Sequence, residues 1–334
     1  MSGSLNGPYS IQKHNVIYYL QKGSAMLHHF RLIIILFIGL ICSSSVFADG
    51  LEVQMVTDNV YAIVGDINQR SPENLGNNAT FGFIVTKAGV VLIDSGGSYK
   101  GAQRIHQAIK TITDKPVVSV INTGGQDQRW LGNGFFKLQG ARIIAAKAVV
   151  LDQQKRVNDQ LSSLDRLVGK KGMEGTHASY ADETFDTSLD LTIGGVQLQL
   201  HNPSVAHTPG DTYVWLPKQK IVFSGDIVYV ERLLAVSSVS KSNGWIQSFQ
   251  TMAALQPTFV IPGHGHVTDL KQASADTHDY LVMLRQGVTD LMESDLGLES
   301  VSQIDQSKFS YLKFYDDLKG PNANAVYREM EWEE

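Results

Sequence analysis

The sequence has little cysteine, no surplus of basic charge and no apolar run long enough to cross a membrane. Its 334 residues include one cysteine, Cys42, which excludes both a disulfide framework and a metal cluster built from thiolates. Lysine and arginine number 28 against 33 aspartate and glutamate residues, and this net charge of −5 argues against a nucleic-acid-binding protein. Hydrophobic residues make up 43% of the chain, so disorder is excluded and a large core is expected.

The segment that begins at Met26 has the features of a secretory signal peptide. A short basic start is followed by the apolar run 32–42, and small residues then end at Ala48. This run is shorter than the ~18 residues of a spanning helix. We therefore expect residues 26–48 to be a signal peptide, the mature chain to begin at Asp49 in a bacterial periplasm, and no stable membrane span to remain. An uncleaved anchor is the alternative.

Residues 1–25 precede this signal and are expected to be a non-native upstream extension, with translation beginning at Met26. The rest of the chain divides into two β-rich blocks, each followed by helices. Strands are predicted at 60–64, 81–85, 90–93, 117–121, 141–145, 189–193, 196–200, 213–216, 221–223 and 258–261. Helices are predicted at 101–112, 148–168, 245–255 and 273–293, and a loop at 169–175.

Two blocks of strands with helices after them predict an α/β protein in which two sheets pack face to face, with helices outside. Residues 49–295 are expected to form one domain, and residues 296–334 a C-terminal helical tail.

Four stretches, in this order, resemble the metallo-β-lactamase superfamily. They are residues 91–97 (VLIDSGG), 121–133 (INTGGQDQRWLGN), 206–211 (AHTPGD) with 223–226 (FSGD), and 261–265 (IPGHG). Each stretch is weak alone, but their order and spacing together are specific. The resemblance implies an αββα sandwich of two mixed β-sheets with a metal site along one edge. There, two zinc ions would share a hydroxide and polarise the substrate.

The sequence departs from this family in the principal metal-binding loop, whose pattern is Thr-His-x-His-x-Asp-His-x-x-Gly-Asn. Counted back from residues 132–133, the four ligand positions hold Gly124, Gln126, Gln128 and Arg129. A dinuclear zinc centre is therefore not expected.

The resemblance leaves His207, Asp226 and His264 as candidate metal ligands, which would hold one ion at most, with zinc a possible ion. Because Arg129 stands where the family places a metal-binding histidine, we expect its guanidinium to lie near Asp226 and to replace the ion's charge. The alternative is that Arg129 points to solvent.

Several other residues are not predicted to take part in catalysis or metal binding. Asp94 is expected to be architectural, and His177 and His266 to be exposed to solvent. Trp130 and Trp245 either line the pocket or pack in the core.

These observations favour an exported metallo-β-lactamase-fold protein that has lost the dinuclear machinery and serves as a binding or regulatory module. Its partner, a small molecule or a protein, is not identified by the sequence. The alternative is a mononuclear metal-dependent hydrolase that uses His207, Asp226 and His264 with an activated water. A purely structural interaction protein with a vestigial pocket is the third hypothesis. A thiol mechanism is excluded because the mature chain has no cysteine.

Overall fold

The computed structural model describes residues 45–48 and 50–333. The expected extension 1–25, most of the expected signal peptide (26–44) and the expected mature terminus Asp49 lie outside the described residues. Ser45–Ala48 forms an edge strand that pairs antiparallel with Leu51–Thr57. None of the helices within the described ranges is both long and apolar enough to cross a membrane.

The larger sheet has eight strands in chain order. They are β1 (Ser45–Ala48), β2 (Leu51–Thr57), β3 (Val60–Val64), β4 (Thr80–Val85), β5 (Val90–Ile93), β6 (Val117–Asn122), β7 (Arg142–Ala146) and β8 (Glu183–Phe185). Strands β1 to β5 pair antiparallel, and β5 to β8 pair parallel.

The smaller sheet has five strands in the order β13-β12-β11-β10-β9. They are β9 (Ser188–Ile193), β10 (Val196–His201), β11 (Tyr213–Leu216), β12 (Ile221–Phe223) and β13 (Phe259–Ile261). Only β12 and β13 pair parallel among these strands. Both sheets are therefore mixed.

The helices cover the outer faces of the sheets. They are α1 (Tyr99–Lys110), α2 (Asp127–Trp130), α3 (Asn133–Leu138), α4 (Lys147–Leu167), α5 (Lys170–Met173), α6 (Ser242–Ala253), α7 (Leu270–Ala273), α8 (Asp279–Glu293) and α9 (Tyr315–Met330).

The hydrophobic clusters define the layers. Alternate residues of a strand face opposite sides, so Val91 and Ile93 of β5 pack between the sheets with Val214 and Ile261, whereas Leu92 packs outward under α1. The outer face of the smaller sheet packs against α6, α8 and α9. The predicted αββα sandwich is confirmed.

One edge of the sandwich collects the ends of several strands. Asp94 follows β5, the loop 123–126 follows β6, Asp226 follows β12 and His264 follows β13. Because neighbouring parallel strands end at the same edge, these four segments of sequence meet there.

The C-terminal half differs from the sequence prediction in the unpredicted strand β8 and in two helical segments. The loop expected at 169–175 contains the short helix α5, and the helix expected at 273–293 is interrupted by a π-helical turn, Ser274–His278. This turn directs Thr277 inward, where its hydroxyl donates to the carbonyl of Tyr229 at 2.6 Å and accepts from the same residue's N–H at 2.9 Å. The interruption thus depends on a tertiary contact, which helical periodicity does not report.

The segment after residue 295 begins with the 3₁₀ turns Leu298–Gln303 and Ser307–Phe309 and continues into α9. Phe309, Ala323 and Val326 are buried in the same cluster as Leu284 of α8. The expected helical tail is therefore packed into the core of the smaller sheet's outer layer.

Candidate functional site

Arg129 lies at the centre of the edge where the strands end, and its side chain is fully buried. Its Nε donates to Oδ2 of Asp226 at 3.1 Å, and its Nη2 donates to Oδ1 of the same carboxylate at 2.6 Å. Nη1 donates to Asp94 Oδ2 and to the Thr80 carbonyl, both at 3.0 Å, and Nη2 also donates to the Gly263 carbonyl at 2.8 Å. All five N–H groups of the guanidinium therefore have oxygen acceptors. The expectation that Arg129 lies beside Asp226 is confirmed.

The charges in this cluster shift one another's protonation. Burial by itself raises the pKa of Asp226, but the Arg129 guanidinium and the bond from His264 hold that pKa well below its ordinary value. Burial likewise opposes the charge on Arg129, yet Asp226 and Asp94 raise its pKa above the ordinary value. Asp94 has its pKa raised to about 6, mainly by burial. Arg129 and Asp226 thus form a fork-shaped ion pair that stays charged at neutral pH.

Asp94 also holds the loop that follows β6. It accepts the backbone N–H and the hydroxyl of Thr123, each at 2.7 Å, from a backbone with a positive φ of 64°. This is the architectural role expected for Asp94.

A second buried acidic side chain, Asp211, lies beside the same loop, in the segment that precedes β11. It accepts the N–H of Thr208 at 2.7 Å and the Thr208 hydroxyl at 2.6 Å. Burial, and next the charge of Asp226, raise the pKa of Asp211 to about 8. A Cβ added to Gly124 would lie 2.9 Å from Asp211 Oδ1, so a side chain at position 124 requires this carboxylate to move.

The structure brings His207, Asp226 and His264 to one place. His264 Nε2 lies 3.3 Å from Asp226 Oδ1, and its ring stacks on Tyr229 with centroids 4.4 Å apart. His207 contacts the same tyrosine at 5.8 Å, and its Nδ1 lies 3.0 Å from the Ala235 carbonyl. Burial lowers the pKa of both histidines, that of His264 to about 3, so both imidazoles are neutral at physiological pH.

Above this cluster a cavity of about 560 Å³ opens to solvent. Three arginines line it, Arg70, Arg156 and Arg232, together with both histidines and Tyr229. Arg70 is paired with Asp127 and also donates to Gln128 at 2.6 Å. Arg156 is paired with Asp152 and donates to Gln126 at 3.1 Å.

Sequence reasoning missed these three arginines and Tyr229. Arg70 lies 57 residues before its partner Asp127, so nothing in the local sequence connects them. Tyr229 and Arg232 follow Asp226 closely, but no spacing rule assigns residues there to a site.

Comparison with known proteins identifies the family. The model of the metallo-β-lactamase superfamily matches residues 145–264, a range that begins after the altered loop and includes His207, Asp226 and His264. A type 2 metallo-β-lactamase of Elizabethkingia meningoseptica is 25% identical over 232 residues, which cover 68% of this chain and 83% of that protein. Both matches support membership of the metallo-β-lactamase superfamily.

Solved structures of the superfamily share the fold. A metallo-β-lactamase from Pontibacter korlensis superposes with a TM-score of 0.55 at 23% identity, covering 70% of this chain and 99% of that one. A stereoselective inverting sec-alkylsulfatase from Pseudomonas sp. reaches a TM-score of 0.65 at 16% identity over 83% of this chain. Because this chain spans only 49% of that alkylsulfatase, the likeness concerns the shared fold.

The residues present do not fit the dinuclear zinc centre of the superfamily. Both oxygens of Asp226 are held by Arg129, and the four altered loop positions supply no imidazole or carboxylate. Within residues 45–48 and 50–333, no group of three His, Cys, Asp or Glu side chains is arranged to hold a metal ion. A zinc ion at the Asp226 carboxylate would have to displace the guanidinium first.

The remaining residues have structural positions. Trp130 is fully buried and stacks on Tyr180, and Trp245 is fully buried with its Nε1 donating to the Ile227 carbonyl at 2.9 Å. Both tryptophans therefore pack in the core. His177 and His266 are exposed as expected, although His266 lies 2.9 Å from Glu231.

Proposed function

We propose that this protein is a binding or regulatory module of the metallo-β-lactamase superfamily in which Arg129 takes the place of the metal ion. The observation that carries the proposal is the set of five hydrogen bonds from the buried guanidinium to Asp226, Asp94 and two carbonyls. A fixed cation balances the carboxylates without supplying an activated water, so the edge of the sandwich keeps its shape while the hydrolytic nucleophile is absent.

Electrostatics supports the exclusion of metal. Two unit charges about 4 Å apart interact at about 4 kcal/mol for an effective dielectric near 20, and a divalent ion doubles this to about 8 kcal/mol. The repulsion between zinc and Arg129 therefore opposes the binding of zinc at Asp226. Asp226, already bonded in both oxygens, is also a poorer ligand.

The second candidate function is a mononuclear metal-dependent hydrolase. What favours it is that His207 and His264 line the same cavity and that His264 lies beside Asp226. It requires Arg129 to leave Asp226 and the ion to bind all three side chains.

Metal analysis with an activity assay separates the two functions. Protein purified without chelator is expected to hold far less than one zinc per chain and to hydrolyse a chromogenic β-lactam at the background rate, with or without added zinc. A ratio near one zinc per chain, lost on chelation together with turnover, would establish the mononuclear hydrolase instead. The assay uses the β-lactam because the relative from Elizabethkingia meningoseptica is a metallo-β-lactamase.

We also propose that the protein is exported to a bacterial periplasm through the signal peptide at 26–48. The basic start, the short apolar run and the small residues before Asp49 support this proposal. The oxidising periplasm would not damage such a protein, because the mature chain contains no cysteine that could be oxidised.

A further inference from the structure

The cavity above Arg129 contains one arginine without a carboxylate partner. Among the described residues, no Asp or Glu lies within ion-pair distance of Arg232, whereas Arg70 and Arg156 are each paired. Nη1 of Arg232 donates to the Ile67 carbonyl at 3.1 Å, while its Nε is buried and has no hydrogen-bond partner. A charged donor in this state favours an anionic ligand, because the ligand would complete both its charge and its hydrogen bonds.

Two residues that line the same cavity each carry a buried acceptor atom. Nδ1 of His264 and Oδ1 of Asn78 have no hydrogen-bond partner, although these residues are only 4% and 2% exposed. The other polar atom of each side chain is already used, since His264 Nε2 faces Asp226 and Asn78 Nδ2 donates to the Asn68 carbonyl. With Nε2 as the donor nitrogen, His264 Nδ1 can only accept. The ligand must therefore bring a donor of its own.

Aromatic and aliphatic groups form the wall nearest Arg232. The guanidinium carbon lies 5.0 Å from the ring centre of Phe314 and 6.0 Å from that of Tyr229, and Leu318 lines the cavity beside them. These contacts hold the guanidinium plane of Arg232 in place. They also form an apolar surface against which the carbon atoms of a bound anion could pack. The opposing charge at the mouth is the exposed Asp317, which solvent screens.

We propose that this cavity binds a small organic carboxylate that carries a hydroxyl group. The carboxylate pairs with Arg232, and the hydroxyl donates to His264 Nδ1 or Asn78 Oδ1. This inference rests on the proposed function, because a metal ion bound by His264 would compete for the same imidazole.

Calorimetric titration of the mature protein with glycolate, lactate, malate and mandelate tests the proposal. At least one of these acids is expected to bind below millimolar concentration. Its methyl ester, which lacks the charge, and its deoxy analogue, which lacks the hydroxyl, are each expected to bind at least about tenfold more weakly. Binding by none of the four acids, or equal affinity for acid and ester, overturns the proposal.

Variants locate the site. Arg232→Gln is expected to weaken binding of the best acid at least about tenfold, whereas Arg166→Gln, which removes the same charge from an exposed position on α4, leaves the affinity unchanged. Thermal melting of both variants checks that they fold, and Arg232→Lys, which keeps the charge, is expected to lie between wild type and Arg232→Gln. Equal affinities of the two glutamine variants contradict the assignment of Arg232.

Zinc content measured on the same samples separates the two hypotheses. If the protein holds zinc and loses acid binding on chelation, the proposed function fails and this inference fails with it. If the protein is free of zinc and none of the acids binds, this inference alone fails.

Discussion

Arg129 shows how one side chain changes the chemistry of a whole site. Its guanidinium is 0% exposed and bonds two carboxylates that belong to different sheets, Asp94 after β5 and Asp226 after β12. A planar fork with five donors matches this set of oxygens, which the single ammonium of lysine does not. At the residue scale, therefore, the proposal that Arg129 takes the place of a metal ion depends on this match between one guanidinium and two carboxylates.

Removing that cation is expected to destabilise the protein. Arg129→Ala leaves the buried carboxylates of Asp226 and Asp94 without a positive charge beside them, so the free energy of unfolding should fall by about 3–5 kcal/mol. At the same time, zinc affinity should rise, because His207, Asp226 and His264 are no longer opposed by a positive charge. Urea denaturation and zinc titration measure the two effects.

Arg129→Lys is the matched control for Arg129→Ala. It keeps the charge but loses the fork, so it is expected to be destabilised less and to bind zinc no better than the wild type. If Arg129→Ala changes neither stability nor zinc affinity, Arg129 does not act as the substitute cation.

Asp211 is expected to make stability depend on pH. Its folded pKa of about 8 lies above its ordinary value of 3.8, so its contribution to stability is complete below pH 3.8 and is lost as pH rises through about 8. Between pH 6.5 and 8 this loss amounts to at most about 1.4 kcal/mol per pH unit. His264, with its pKa lowered by burial to about 3, affects stability mainly below pH 6.5, and its remaining effect above that pH is the same in an Asp211 variant.

Asp211→Asn retains the shape of the side chain and does not titrate, and its amide oxygen can still accept the N–H of Thr208 while its amide nitrogen faces the Thr208 hydroxyl. Denaturation at pH 6.5, 7.25 and 8 is therefore expected to give a smaller slope for the variant than for the wild type. His266, whose pKa is raised by its pairing with Glu231 despite partial burial, titrates nearby in both proteins and cancels in the comparison. Identical slopes would refute the assignment of the shifted pKa to Asp211.

At the scale of the element, the loop between β6 and α2 lacks the four ligands of the family pattern. It is held by Asp94 at Thr123 and by Gln160, whose Nε2 donates to the Gly125 carbonyl at 2.8 Å, and Asp211 lies close to Gly124. These contacts adapt the loop to small residues at 124 and 125. Contacts from the rest of the protein therefore stabilise the loop with the residues that it now contains, in addition to its having lost the four metal ligands.

Restoring the family's ligands in this loop is expected to restore zinc binding. The quadruple variant Gly124→His, Gln126→His, Gln128→Asp and Arg129→His supplies four ligands beside the three that remain. Its affinity should stay below that of an intact family site, because the new side chain at 124 must displace Asp211. Zinc per chain, measured after dialysis, reports the result.

The control is the triple variant with Arg129 retained, which has the other three new ligands but keeps the cation on Asp226. It is expected to hold much less zinc than the quadruple variant. Equal zinc content in the two variants would show that Arg129 is not the obstacle to metal binding.

At the scale of the whole molecule, the cavity is assembled from segments far apart in the chain. Arg70 comes from the loop after β3, Arg156 from α4, Arg232 from the loop after β12, and Phe314 from the C-terminal segment. The C-terminal segment thus contributes both to the core and to the wall of the cavity.

The proposed export concerns the whole chain and is tested at the N-terminus of the mature protein. Because the apolar run is short and ends in small residues before Asp49, the protein recovered from cells is expected to begin at Asp49. Intact-mass spectrometry of the periplasmic fraction measures this directly. An Ala48→Arg variant, which blocks the small-residue position, should accumulate uncleaved; membrane-bound wild-type protein that retains residues 26–48 would contradict the cleaved signal.

Sequence alone determined the sandwich, because strand alternation and the order of the four stretches are local patterns that survive divergence. It also located the altered loop, but it left open whether Arg129 lies beside Asp226 or points to solvent, a choice that the structure decided. It did not determine the π-helical turn or the three arginines of the cavity. Thr277 reaches Tyr229 across 48 residues, and Arg70 reaches Asp127 across 57. Such contacts arise only when strands distant in sequence end at one edge, so tertiary structure alone decides which charges are paired and leaves Arg232 without a carboxylate among the described residues.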